Sequence, residues 1–403
     1  MQGQASLSLF WFLYLGAQGV FFPYYSLYLK ENAGLSGTEV GVVLAVIPLV
    51  EIFAQVFWGQ VADRSGARSR VLALLSFGAS AGYMLLGLAR GFPAILLATA
   101  ALAIFATAVI PMTVSVTLGA LGAAGANAFG FIRVWGTLGF LLLVVLFPWI
   151  LDSFQASRAL VAVAGAPSEP GLEIMFLTTA GLAFLAALAG LVLPREGRVA
   201  LRASRGEWRA LLHNRALVRF LLFSFAAYFL LQGPMWLFPV YVRSRGGDLD
   251  TIRRMWILML LIEIPLILSA GSALKRLGAR GLLALGILAG ALRWTVSGMI
   301  EEIYLVYAAQ TLHGAMVAGL LLGGPLYLDA VVPARLRSTG QALLSMVGVA
   351  AGGIASNAAA GWLLEHVGPN APYIASGLGA FVLGSLVWWI VPPPEASPSD
   401  SAR

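Results

Sequence analysis

Apolar runs of about twenty residues recur along the chain, separated by short charged or Gly/Pro-rich breaks. A hydrocarbon core about 30 Å thick needs roughly 20 residues of helix to cross it, and in lipid only helices or closed barrels satisfy every backbone group. The runs are of helix length, which excludes a barrel. They predict transmembrane helices near residues 5–29, 38–60, 70–89, 93–117, 127–150 and 172–193, then near 216–242, 251–273, 280–299, 303–328, 338–363 and 371–391. The expected fold class is an all-α membrane protein of twelve transmembrane helices in two six-helix bundles. The long polar interruption at 194–215 is rich in arginine and divides an N-terminal bundle (1–193) from a C-terminal bundle (216–391). It reads as a cytoplasmic linker lying on the anionic inner leaflet. Residues 392–403, rich in proline and serine, have no means of burying apolar surface and read as a disordered cytoplasmic tail.

Composition agrees, with 60% hydrophobic and 11% charged residues in a chain of 403, against roughly 45–50% and 25% in soluble domains. A formal charge of +7 would suit a nucleic-acid partner if the basic residues lay on one soluble face. They lie instead in alternate loops: sixteen Lys and Arg share the side of the 62–70 loop, tail included, and seven the other. The positive-inside rule then puts both termini in the cytoplasm and makes a lipid bilayer, rather than nucleic acid, the partner. The first apolar stretch is too long for a signal peptide and is kept as a helix. The chain has no cysteine, which excludes disulfides and thiolate metal sites. No nucleotide loop, metal-ligand cluster or catalytic triad stands out, so no cofactor, metal or enzymatic activity is expected, and Gly323-Gly324-Pro325 and Gly352-Gly353 read as packing or bending glycines.

The two halves are related. Val50-Glu51-Ile52, Gly59, Arg64, Gly66 and Arg68 match Ile262-Glu263-Ile264, Gly271, Arg276, Gly278 and Arg280 at a constant offset of 212. Phe22-Pro23 and Tyr25 match Phe238-Pro239 and Tyr241 at an offset of 216. The halves are therefore parallel copies, each entering the membrane from the cytoplasm, as transporter repeats do.

The segment Gly59 to Arg68 resembles the cytoplasmic signature of the major facilitator superfamily, and 271–280 resembles a degraded second copy. In this motif Gly59 allows close helix approach, Asp63 can pair with an arginine or a helix N-terminus, and Arg64 and Arg68, around Gly66, anchor the loop at the headgroups. Gly19 to Tyr25, Phe129 to Gly136 and Gln310-Thr311-Leu312-His313-Gly314 resemble the lactose permease, phenylpropionate permease and nucleoside proton symporter branch. The resemblance implies a substrate-binding role for Arg133 and a proton-coupling role for Arg293 and His313. The lactose permease pattern also has two carboxylates where this chain carries Ser115 and Met316.

The acids left within the membrane are the symmetry mates Glu51 and Glu263, about eight residues, roughly 12 Å, from the cytoplasmic ends of their expected helices. An ionisable group near the bilayer centre costs about 3 kcal/mol on insertion scales, so each should face the protein interior and have a partner. Glu263, His313 and Arg293 are expected to form a proton-coupling cluster, with Glu51, Arg133, Gln18, Tyr24, Trp135, Gln232 and Trp236 at the substrate. The alternatives are interhelical hydrogen bonding for the glutamates, snorkelling for Arg133 and simple packing for the aromatics. The expected protein is a monomer of a bacterial inner membrane, a proton-coupled symporter of a sugar, nucleoside or aromatic carboxylate. A proton-coupled exporter or a non-transporting receptor on the same fold are the other readings.

Overall fold

The computed structural model describes residues 2–121, 125–160, 169–193, 211, 213–333 and 336–393. The expected linker lies almost wholly, and the expected tail for the most part, outside the described residues. Among those residues the chain is helical. The first half consists of α1 (Gly3–Asn32), α2 (Gly37–Ser65), α3 (Arg68–Leu88), α4 (Phe92–Leu121), α5 (Gly125–Ser157) and α6 (Ile174–Leu191). The second half begins with α7 (Arg215–Ser244). Leu249–Met299 is one hydrogen-bonded run broken at Gly278 (φ 66, ψ 174), which makes two crossings, α8 (249–277) and α9 (279–299). There follow α10 (Ile303–Val331), α11 (Thr339–His366) and α12 (Ala371–Ser385), the last continued by a turn at Val387–Ile390. These are twelve crossings.

Local chemistry sets the boundaries. Ser36 accepts a hydrogen bond from the Glu39 N–H while its own N–H donates to Glu39 Oε2, a reciprocal cap that starts α2. Thr251 donates from N–H and hydroxyl to Asp248 Oδ1, which caps α8 and holds the Asp248 carboxyl below its ordinary range. Gly66 ends α2 in the left-handed region at φ 62, and its repeat mate Gly278 breaks the run at φ 66. Both positions need glycine because a Cβ disfavours positive φ. The repeat thus keeps the need for glycine at this turn but not the turn itself, since ψ is 16° at Gly66 and 174° at Gly278.

Contacts divide the chain into two compact units, one comprising Met1–Ala200 with Trp236–Ile257, the other Leu201–Met235 with Leu258–Arg403. The division is not a single cut along the chain: the outer ends of α7 and α8, on the face opposite the Ser65–Arg68 turn, go with the first unit. Within lipid there is no hydrophobic drive between helices, so small residues that let backbones approach carry the packing. In the first unit a Cβ on Gly19 would lie 2.5 Å from the Phe140 carbonyl, and one on Gly139 would lie 2.1 Å from the Phe12 carbonyl, so α1 and α5 cross backbone to backbone. The second unit uses the same device: a Cβ on Gly233 would lie 2.5 Å from the Ser356 carbonyl, and the Gly233 N–H donates to Ser356 Oγ at 2.7 Å.

Two expectations about depth change. The helix carrying Glu51 runs to Ser65 and the one carrying Glu263 to 277. Each glutamate thus sits at the middle of its helix, about 21 Å from either end at 1.5 Å per residue, deeper than the roughly 12 Å expected. The reason is that the polar signature residues are themselves helical.

Candidate functional site

The first unit holds an open cavity of about 390 Å³ lined by α1, α2, α3 and α4, with Trp236 of α7 also in its wall. Glu51 and Gln55 stand one turn apart on α2, the spacing that places two side chains on one face, and Gln55 Nε2 donates to Glu51 Oε1 at 2.7 Å. Pro111 inside α4 has no N–H to give the Thr107 carbonyl, four residues earlier. That carbonyl accepts from Gln55 instead, at 3.4 Å. Tyr14 donates to the Ala106 carbonyl at 3.0 Å, and Trp58 to that of Ile104 at 2.8 Å, pinning α1 and α2 to α4. Gln18 Nε2 donates to the Tyr83 hydroxyl at 3.0 Å. Phe22 packs against Trp236 at 4.1 Å between ring centroids. Among the described residues, Glu51 is the one carboxylate lining the cavity, and no Lys, Arg or His lines it.

A second cavity, of about 290 Å³, lies toward the Ser65–Arg68 turn, and Gln55 and Pro111 line both. It also touches Gly59, Asp63, Arg68 and Ser115. Asp63 and Arg68 form an ion pair at 2.9 Å, so the signature acid does pair with an arginine, on its own turn. A Cβ on Gly59, by contrast, would meet nothing within 4 Å among the described residues. The close helix approach expected at Gly59 is not made, because the residue faces open cavity.

The second unit holds the other polar constellation. Arg293 on α9 is fully buried, and its Nε and Nη2 donate to Gln310 Oε1 at 2.9 and 2.7 Å. Its Nη1 is 2.9 Å from His313 Nδ1, and the guanidinium lies 4.1 Å from the centroid of Trp294. The sulfurs of Met259 and Met235 lie 3.0 and 3.5 Å from Nη2 and Nη1. On the far side of the imidazole, His313 Nε2 is 3.4 Å from Glu263 Oε2. Arginine has only donors, so His313 Nδ1 must accept, and this network puts the ring proton of neutral His313 on Nε2, toward Glu263. Two local features build the line. Gln310–Leu312 is a turn of 3₁₀ helix, in which residues three apart eclipse, so Gln310 and His313 present to Arg293 together. A Cβ on Gly314 would lie 2.8 Å from Glu263 Cα, so α10 can approach α8 closely enough for the two side chains to meet.

A model of the MFS_1 like family matches residues 4–375. The chain belongs to this family of the major facilitator superfamily. Across 372 residues, 91% of this chain and 89% of the relative, it is 31% identical to the maltose permease of Geobacillus stearothermophilus. It is 25% identical over 365 residues to a putative nucleoside transporter of Escherichia coli strain K12, covering 86% and 81% of the two chains. Its fold matches the crystal structure of the nucleoside transporter NupG with a TM-score of 0.80 at 17% identity, over 97% of this chain and 99% of that one. The protein is therefore an integral membrane transporter of the major facilitator type.

In this major facilitator protein the candidates from sequence separate into groups. Gln18, Glu51 and Trp236 line the first cavity, and Glu263, His313 and Arg293 meet in the second unit. Arg133, Trp135 and Tyr24 do not line that cavity. The Arg133 guanidinium sits 4.9 Å from the Trp11 ring centroid with Thr137 Oγ1 at 3.5 Å, Trp135 is 48% exposed, and Tyr24 is fully buried 5.1 Å from Phe147. Residues 133 and 135, two apart on α5, point to different faces of that helix. Gln232 belongs to the second unit, where its amide lies 2.7 Å from the Cβ position of Gly353. Sequence reasoning missed Gln55, Tyr83 and Gln310. The turn spacing from Glu51 could have found Gln55, and Gln310 stands three residues before His313, but Tyr83 has no local signal.

Proposed function

We propose that this transporter is a proton-coupled symporter of a small, uncharged, hydroxyl-rich solute, a sugar in the first instance, working by alternating access. The observation that carries the coupling is His313 held between Arg293 and Glu263. A proton added at Nδ1 and a hydrogen bond from Arg293 to Nδ1 exclude each other, since both groups are then donors. Protonation therefore releases Arg293, and return of Arg293 expels the proton. Glu263, on the Nε2 side, serves as the group through which the proton passes or as the anion that stabilises the imidazolium.

The first cavity supports the substrate class. The Glu51–Gln55 pair, Gln18 and Tyr83 supply the acceptors and donors that hydroxyls need, and Trp236 with Phe22 supplies an apolar face of the kind that covers a sugar ring. An anion would meet the Glu51 carboxylate with no cation beside it, which disfavours aromatic carboxylates, and the likeness to a maltose permease favours a sugar. The reading includes a monomer in a bacterial inner membrane with both termini in the cytoplasm.

Proteoliposomes test it directly. Maltose should accumulate when the outside is made acidic. Accumulation should fall at least about tenfold in His313→Gln and Glu263→Gln while exchange of labelled for unlabelled sugar persists. Accumulation unaffected by the imposed gradient would overturn the proton coupling. Uptake of a nucleoside in place of sugars would overturn the substrate class alone.

A further inference from the structure

A second charge cluster lies on the outer face, away from both constellations. Arg243 is the penultimate residue of α7. Its Nη2 donates to Glu169 Oε1, and its Nε lies 3.4 Å from Glu31 Oε1. These side chains are 17%, 18% and 18% exposed, so the cluster is more sheltered than an ordinary surface ion pair. Asn32 Nδ2 donates to the Glu169 carbonyl at 2.9 Å, tying the end of α1 to the segment before α6. Arg243 Nη1 also donates to the Gly247 carbonyl at 3.3 Å, fastening the α7–α8 turn. Burial pushes the Glu169 carboxyl up from its ordinary range, and Arg243 beside it pulls it back. The arginine thus compensates a charge that the site would otherwise disfavour.

Below this cluster is an aromatic layer. Phe22 packs on Trp236 at 4.1 Å and on Trp256 at 5.5 Å, and Phe140 on Trp256 at 5.7 Å. Trp236 and Trp256 stand at the two limits of the Trp236–Ile257 segment that joins the first unit. One residue before it, after Met235, stands Gly233-Pro234, and a proline within a helix removes a hydrogen bond and is a common cause of a kink. The outer segment of α7 and α8 is thus bounded by a weak point in its own helix and held to the first unit by one charge cluster and one aromatic layer.

We propose that Arg243, clamped between Glu31 and Glu169, is a releasable outer latch: it holds the outer ends of α7 and α8 on the first unit, and its opening admits solute to the first cavity from outside. Tight pairing of a sheltered arginine with two carboxylates suits a latch, because the attraction is strong when closed while water can solvate all three charges when open. The inference stands apart from the coupling ion and the substrate class.

The absence of cysteine in the chain makes the test clean. Ala106→Cys places the only thiol in the first cavity, and a membrane-impermeant maleimide is added to the outer side of vesicles of known orientation. Total thiol after denaturation normalises the signal, and a single gel-filtration peak with the parent's helical circular dichroism in detergent shows that each variant is folded. Arg243→Gln and the double variant Glu31→Gln/Glu169→Gln should each raise the outside labelling rate several-fold. Arg243→Lys, which keeps a cation between the two carboxylates, should label at close to the parent rate. Unchanged labelling in folded Arg243→Gln would overturn the latch, and a rise in Arg243→Lys equal to that in Arg243→Gln would overturn its ionic basis.

Discussion

Glu51 and Glu263 occupy the same position of the repeat, at the same depth and at the middle of their helices, yet they live in different chemistry. Glu51 has the amide of Gln55 on its own helix as partner and faces a cavity. Glu263 meets the imidazole of His313 on another helix, with Arg293 and Gln310 behind it. The difference has two sources. The repeat mate of Gln55 is Ile267, so the second half has no amide one turn on. Gly314 brings α10 against α8 at Glu263 itself. Internal duplication preserves where an ionisable group sits, and the neighbours decide what it does.

The comparison is most sharply broken by neutralising each acid in turn. A hydrogen bond to a charged group contributes about 1.5–3 kcal/mol, which corresponds to roughly 10- to 100-fold in an equilibrium or a rate. Glu263→Gln should lower gradient-driven accumulation by this factor and leave equilibrium sugar binding nearly unchanged, as paired flux and calorimetric measurements would show. Glu51→Gln should do the converse, weakening sugar binding about tenfold, the lower end of that range, while the ratio of driven to undriven uptake is kept. If both variants failed in the same assay, the division of labour would be lost.

Smaller effects sharpen the account. Gly314→Ala should cost about 1–3 kcal/mol through overpacking at the α8–α10 crossing and should impair coupling more than binding. Thermal unfolding and the same two assays separate those consequences. Within the signature motif, Gly66→Ala should cost about 1 kcal/mol or somewhat more for its left-handed backbone. Gly59→Ala, with open space around it, should stay within about 0.5 kcal/mol. Equal losses at the two glycines would mean that Gly59 is packed after all.

How much of the site could be read in advance depended on the kind of signal each residue carries. Glu51, Glu263, Arg293 and His313 stood out because a charged or titratable group inside an apolar run is costly and therefore informative. Gln55 and Gln310 are no less involved, but a glutamine in such a run is a weaker anomaly. Arg133 carried the resemblance to a substrate-binding arginine, yet the structure stacks it near Trp11 and away from the first cavity.

The sequence alone established the membrane, the twelve crossings, the duplication and the signature turn. These follow from quantities that add up along the chain: apolar length against bilayer thickness, and spacing between like residues. Only the tertiary structure decided that Glu263 faces His313, that the Thr107 carbonyl left by Pro111 receives Gln55, that Gly59 borders open space, and that the outer ends of α7 and α8 join the first unit. Those outcomes depend on how each helix is rotated and where it crosses its neighbours. Rotation and crossing are set by close contacts between residues far apart in sequence, which no local pattern records.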